Sequence, residues 1–283
     1  MIKEQKQRIA DRLREYCTQK GSQNKAANSL NGVSSATISA ILSGKWELIS
    51  DEMWRGVASQ IGYDSQEWNL AQTRVSDKLR FTLENAKDNS LVLAVTGYAG
   101  CGKTESIKRY AEQHLNVYHL CCSEYWNRRT FMQKLLQCMG VAGCGSTVSD
   151  MMDSIIGTLK SQHRPLVVLD EADKLTDQVL YFFISLYNSL EGHCGIVMAS
   201  TPYLEKRIER GIRLQKKGYE EIYSRLGRKF VKLDVINGED IASVCVANGI
   251  KERSVIREIS QEADNDLRRV KRSIWQRKKT NRA

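Results

Sequence analysis

The sequence predicts an α/β chain: a doubly wound parallel sheet, preceded by an all-α unit and closed by a small C-terminal helical lid. Three observations predict it. From Leu91 to Leu233 short apolar runs alternate with amphipathic stretches, the pattern of strand and crossover helix in a parallel sheet. Residues 1–62 and 238–279 read instead as helices. At 283 residues, finally, the chain is long enough for about two domains, each with a core of its own.

In the first 62 residues, Ile9, Leu13, Tyr16 and Cys17 form one stripe at helical spacing, and Gly21 ends that helix. Ser22-Gln23 opens a second helix through Leu30, closed by Asn31-Gly32. Ser34 is a natural N-cap for a third helix, Ser35–Leu42, whose Ile38, Ile41 and Leu42 face a core. A fourth follows at 51–61, with Met53, Trp54, Val57 and Ile61 apolar. Two short helices around a tight Gly-containing turn make a helix-turn-helix, and SQNKAANSLNGVSSATISAILSG resembles the phage-repressor type. Ser35, Ala36, Thr37 and Ser39 then sit on the face that enters a major groove. None of these offers the bidentate base contact of Arg, Asn or Gln, while Lys25 and Lys45 can hold the backbone. A small helical bundle that docks protein is the other reading of this unit.

Residues 63–90 form a linker in which Val75, Leu79 and Leu83 mark a helix. The α/β domain, 91–234, then runs strand 91–96, helix 103–115, strand 116–122, helices 129–139 and 147–161, strand 166–170, helix 176–190, strand 195–200 and a last strand 230–233. Residues 235–283 make the lid with its basic tail.

The chemistry lies at two strand ends. Gly97-Tyr-Ala-Gly-Cys-Gly-Lys-Thr104 matches G-x-x-x-x-G-K-[ST] in full, between an apolar strand and a helix. Gly97, Gly100 and Gly102 let the backbone wrap a phosphate chain with no Cβ in the way, and the helix starting at Lys103 adds its positive dipole end. We therefore assign Gly97, Tyr98, Ala99, Gly100, Cys101, Gly102, Lys103, Thr104 and Glu105 to nucleotide binding. Lys103 reaches the β/γ-phosphates and Thr104 ligates Mg²⁺. The second strand end, Leu166-Val-Val-Leu-Asp170-Glu171, comes 67 residues after Lys103. Asp170 would hold the metal and Glu171 would polarise the attacking water. ATP and Mg²⁺ are the cofactors expected, and hydrolysis to ADP and phosphate the reaction.

Composition narrows the setting. No apolar run approaches 18 residues and MIKEQKQRIADRL is polar from its third residue, so neither membrane span nor signal peptide is expected. The eight cysteines are scattered, one of them inside the phosphate loop; buried free thiols in a reducing cytoplasm fit them better than disulfides. His119-Leu-Cys-Cys122 has no C-x-x-C partner pair and reads as strand rather than metal site. The net charge is +10, and the segment from Arg268 onward carries eight basic residues and no acid, which favours a polyanionic partner.

Four further features matter in order: the helix-turn-helix; Thr201, a polar residue closing strand 195–200; Tyr223-Ser-Arg-Leu-Gly-Arg228 before the last strand; and Asp266-Leu-Arg-Arg269 in the helical region. Together with GYAGCGKTES and LVVLDEADKL they resemble an AAA+ ATPase, more narrowly one of the phage Mu B type, the ATP-dependent target-DNA activators. The resemblance covers nearly the whole chain. It implies a cytoplasmic protein of a bacterium, phage or mobile element that binds double-stranded DNA with ATP. It also implies a homo-oligomeric helical filament or ring that presents this DNA to a transposase. By the same resemblance Thr201 would be sensor 1, Arg225 (or Arg228) the arginine finger acting on a neighbouring subunit, and Arg268 sensor 2.

Two places suit the DNA. Trp126, Arg128 and Arg129 mix an aromatic with arginines at a loop-to-helix junction, where Arg meets phosphate and the ring packs on sugar; a helix cap with Trp126 in the core is the other reading. Leu204–Gly218 is a basic insertion in which Lys206, Arg207, Arg210, Lys216 and Lys217 are the candidates. Lys45 and Thr37 belong to the N-terminal unit. A helicase loader or replication initiator shares the same core, and an NTP-switched transcription regulator shares the N-terminal unit; these are the alternatives.

Overall fold

The computed structural model describes residues 3–61, 63, 68–141 and 147–280. The chain divides into two compact units, Met1–Asn69 and Leu70–Ala283.

The first unit holds α1 (Lys3–Lys20), α2 (Gln23–Asn28), α3 (Ser35–Leu42) and α4 (Asp51–Gln60). Ser22, Ser34 and Ser50 each start a helix by accepting a hydrogen bond from the backbone N–H three residues on, satisfying donors the helix itself cannot. The predicted stripes converge on one core of Ile9, Leu13, Leu30, Ile38, Ile41, Trp54 and Val57. Gln60 fixes the turn between α2 and α3, accepting from Asn31 N–H at 2.6 Å and donating to its carbonyl at 3.0 Å. Trp46 donates to the Ile41 carbonyl at 2.9 Å and meets the Trp54 ring edge-on at 5.7 Å.

The second unit is a five-stranded, all-parallel sheet in the order β2-β3-β4-β1-β5. Its strands are β1 (Val92–Thr96), β2 (Val117–Cys121), β3 (Leu166–Asp170), β4 (Gly195–Ser200) and β5 (Phe230–Lys232). β3 and β4 are buried throughout, which is why they read as unbroken apolar runs. From β1 the chain crosses to the far edge at β2, steps back through β3 and β4, and then passes over β1 to β5. The connections after β1 and β4 therefore diverge, and such a switch opens a crevice at the C-terminal strand ends.

Around the sheet lie α5 (Arg74–Asp88), α6 (Lys103–Gln113), α7 (Arg128–Cys138), α8 (Val148–Lys160), α9 (Asp177–Leu190), α10 (Tyr203–Arg213) and α11 (Tyr219–Arg225). The lid comprises α12 (Gly238–Ala247), α13 (Arg253–Ala263) and α14 (Leu267–Thr280). The predicted linker helix, α5, packs on α6 and the sheet. It comes so close to β4 that a Cβ on Gly195 would stand 2.3 Å from the Ala86 carbonyl oxygen. At its other end Arg74 donates its backbone N–H and guanidinium to Asp240, the buried carboxylate that also closes the capping box of α12. One expected loop is helical: Leu204–Gly218 folds as α10 and a short turn, because Leu204, Ile208 and Gly211 recur on one face and are buried. Of the described cysteines, Cys121 and Cys138 are exposed rather than buried as expected; Cys17, Cys101, Cys122, Cys194 and Cys245 are buried, and all seven are free thiols. No described helix is long and apolar enough to cross a membrane.

Candidate nucleotide site

The loop after β1 wraps back on itself before α6. Gly100 and Gly102 both have positive φ, 77° and 93°. Lys103 lies across the loop and donates to the carbonyls of Gly97 at 2.7 Å and Tyr98 at 2.9 Å. The first intrahelical bond of α6 runs from Ser106 N–H to the Gly102 carbonyl at 3.1 Å. The N–H groups of Lys103, Thr104 and Glu105 therefore precede any helical partner and face outward from a dipole's positive end. Cys101 is buried, whereas Tyr98, Ala99, Thr104 and Glu105 are exposed.

β3 delivers the carboxylates to the same place. Asp170 is fully buried. Its Oδ1 accepts the Glu171 N–H at 2.9 Å, and its Oδ2 lies 3.4 Å from His119 Nε2. Burial pushes its carboxyl up, but hydrogen bonds from His119 and Thr104 outweigh that and hold it below the ordinary carboxylate range. Thr104 and Asp170 are thus brought into contact from two strand ends, an all-oxygen donor pair suited to a hard divalent cation. Glu171 is held at φ 54°, and its Oε2 receives Lys174 Nζ at 2.5 Å. The exposed Cys121 thiol lies 3.8 Å from the same oxygen.

Thr201, after β4, is near this group but already engaged: its hydroxyl donates to Asp173 Oδ2 at 2.9 Å. The lid reaches the loop directly. Leu267 N–H donates to the Gly100 carbonyl at 2.9 Å, and the Asp266 carboxylate, which caps α14 by accepting Arg268 N–H at 2.7 Å, lies against Gly100. A Cβ on Gly100 would meet Asp266 Oδ1 at 2.1 Å. Arg268 itself is exposed, one residue past that contact.

The remaining candidates separate. Arg225 is clamped within its own chain: Nε and Nη2 donate to Asn188 Oδ1 at 3.1 and 3.0 Å, Nη2 pairs with Glu221 at 2.7 Å, and the guanidinium lies over the Tyr187 ring. Arg228 is exposed and makes no ion pair among the described residues. Trp126, expected to pack on a sugar backbone, is only 5% exposed and sits in the core beside α7; Arg128 and Arg129, at the start of α7, are exposed. Arg207 is likewise turned inward and unavailable to DNA: it donates to the carbonyls of Asp173 at 3.2 Å and Leu175 at 2.6 Å, to Tyr219 Oη at 3.2 Å, and to the Asp177 carboxylate. Its neighbour Lys206 is exposed, as is Lys45 in the first unit, where Thr37 is half-buried against Ser34. Sequence reasoning missed His119, Asp173, Lys174 and Asp266 as members of the site. All four lie in stretches already singled out, His119-Leu-Cys-Cys122, LVVLDEADKL and Asp266-Leu-Arg-Arg269, but nothing local to those stretches gives them these roles.

Residues 86–208 match the family model described as an AAA domain. None of the curated proteins matches the sequence. Among solved structures the chain is similar to Cdc6p from Pyrobaculum aerophilum, at 15% identity and a TM-score of 0.51, over 72% of this chain and 61% of that one. It is also similar to Drosophila ORC bound to DNA (15%, TM-score 0.45, 73% and 54%) and to NtrX from Brucella abortus in complex with ATP (15%, TM-score 0.49, 82% and 55%). The chain thus spans less than two thirds of the length of these relatives. The likeness to Cdc6p establishes the fold, an AAA+ P-loop α/β sheet.

Proposed function

We propose that this chain is a Mg²⁺-dependent ATPase that binds duplex DNA without strong sequence preference, assembles on it as a filament, and delivers it as target to a transposase. The observation that carries the ATPase reading is the convergence of Lys103, Thr104, Asp170 and Glu171 at the ends of β1 and β3, the two strands that flank β4. Thr104 and Asp170 would hold Mg²⁺, which when bound neutralises charge building on the β- and γ-phosphate oxygens. Lys103 binds those phosphates as a point charge, and Glu171, once free of Lys174, accepts a proton from the attacking water. Arg225 or Arg228 would act on a neighbouring subunit; the tight seat of Arg225 favours Arg228 in the position shown, and Arg225 requires release from Asn188. Arg268 would reach the nucleotide from the lid. The resemblance of the whole motif order to the phage Mu B type supports the transposase as the partner, with a replicative helicase the alternative that the shared Cdc6p-like fold keeps in view.

The test is hydrolysis and assembly by wild type and Glu171→Gln, with and without random duplex. Glu171→Gln is expected to bind ATP, stay on DNA as filaments visible by electron microscopy, and turn over at least about a hundredfold more slowly, the usual worth of a positioned base. Wild-type turnover by Glu171→Gln would remove the assigned base. Discrete rings loading a helicase, without continuous coverage, would move the partner to replication.

A further inference from the structure

α10 has two unlike sides. Leu204, Ile208 and Gly211 are buried and Arg207 is turned inward. On the outer side Tyr203, 61% exposed, is followed by the exposed Lys206, Arg210 and Arg213. Steps of three, four and three residues keep all four on one helical face. At 1.5 Å per residue, Lys206 to Arg213 covers about 10 Å, the axial rise over which one strand of duplex DNA presents about three phosphates. Lys216 and Lys217 continue the run in the turn that follows, also exposed.

The cations on this face are unspent. Lys206, Arg210, Arg213, Lys216 and Lys217 make no ion pair among the described residues, although Lys216 lies within the field of the Asp177 carboxylate; Arg128, Arg129 and Arg228 are likewise unpaired, whereas several other basic groups of this unit are taken. Arg207 is bound to Asp177, Arg225 to Glu221, Lys232 to Glu205, Arg269 to Asp264, and Arg277 to Glu258 and Glu262. Glu205 is drawn aside by Lys232, which leaves Glu209 as the acid bordering the stripe. A row of uncompensated cations with an aromatic at its head suits a sugar–phosphate backbone, which needs charge and hydrogen-bond donors but no base reading.

We propose that the outer face of α10 is the track on which the phosphate backbone of duplex DNA runs, with Lys206, Arg210 and Arg213 each neutralising a phosphate and Tyr203 lying against the sugar. The inference rests on the DNA-binding reading above and names its surface. It also supplies a route to the catalytic base. The inner face of the same helix grips the carbonyls of Asp173 and Leu175 through Arg207, two and four residues past Glu171.

The experiment is a salt titration of affinity for a labelled random duplex, with a slowly hydrolysed ATP analogue and the full chain throughout. Lys206→Ala/Arg210→Ala/Arg213→Ala is expected to bind at least about tenfold more weakly at moderate salt and to flatten the plot of log K against log[salt] by roughly 2–3 units, at about 0.9 per contact. Its thermal midpoint should not move, since all three side chains are exposed. Glu209→Lys is the converse: tighter binding and a slope steeper by about one unit. If the triple variant keeps the wild-type slope, or Glu209→Lys changes nothing, the track is overturned. If Arg128→Ala/Arg129→Ala carries the loss instead, the backbone runs over α7 and the track is likewise overturned. A wild type that binds no duplex with the ATP analogue removes the DNA-binding reading itself.

Discussion

Arg207→Ala is expected to destabilise the α/β unit by about 2–4 kcal/mol, whereas Lys206→Ala, one residue away, is expected to change it by no more than about 0.5 kcal/mol. The Arg207 side chain is 17% exposed and donates to two carbonyl oxygens, a phenol oxygen and a carboxylate. A hydrogen bond from a charged donor contributes about 1.5–3 kcal/mol, and truncation leaves the Asp173 and Leu175 carbonyls short of a donor. Asp177 is 41% exposed, so water offsets most of the ion pair and its share is about 1 kcal/mol or less. For a unit of roughly 200 residues, the loss corresponds to a fall of about 5–12 °C in Tm. The assay is calorimetry and urea unfolding of the full chain carrying each single substitution. A pH series sharpens it. Burial pushes the Asp177 carboxyl up, but the bonds from Arg207 and Tyr219 outweigh it and hold it below its ordinary value. A depressed carboxyl stabilises the fold fully above its unfolded pKa of about 3.9 and loses that contribution as pH falls through the lower folded value. The gap between wild type and Arg207→Ala should therefore be constant at neutral pH and narrow only below about pH 4. An Arg207→Ala as mild as Lys206→Ala, or a gap that narrows near neutrality, would refute the assignment of Arg207 as a buried clamp.

Two other outcomes follow from the site. Lys174→Ala frees the Glu171 carboxylate from its ion pair, and turnover without DNA should rise by up to about fivefold, the equivalent of an exposed pair worth up to about 1 kcal/mol; steady-state phosphate release reads it, and a fall would mean that Lys174 holds the base in its working position. Gly100→Ala forces a Cβ against Asp266 at a φ of 77°, a conformation costing an L-residue about 1–2 kcal/mol before any clash. Nucleotide affinity should drop at least about tenfold, and fluorescent-nucleotide binding equal to wild type would show that the loop and lid do not meet there.

The parts of the site that are legible in the sequence are those whose partners are near in the chain. The phosphate loop declares itself because glycines, lysine and threonine must follow one strand without interruption. The Asp170-Glu171 pair declares itself because it ends a continuous apolar run. The same holds for the N-terminal helices, whose caps and stripes are local. The α10 segment shows where this ends. Lys206 and Arg207 are equivalent letters in a basic run, and only the burial of Leu204 and Ile208 decides that one of them faces water and the other Asp177. Asp266 was likewise illegible, since what gives it meaning is Gly100, far back in the chain, meeting it through the fold. Trp126 follows the same rule: beside two arginines it reads as part of a binding surface, but it is buried in the core of the α/β unit.

The hydrogen bond between Leu267 and the Gly100 carbonyl makes the last helix a pointer mounted on the phosphate loop. α14 has 14 residues and is therefore about 21 Å long. A tilt of roughly 10° at its base, too small to break its seat, sweeps its far end by about 4 Å. Arg268, Arg269, Lys271, Arg272 and Arg277 ride on that arm. Because α14 is packed on α12 and α13, a change in the loop's backbone that reached Leu267 would carry the lid and its positive charge together, and a dye placed near the end of α14 should register loading of the site before a single bond is cleaved.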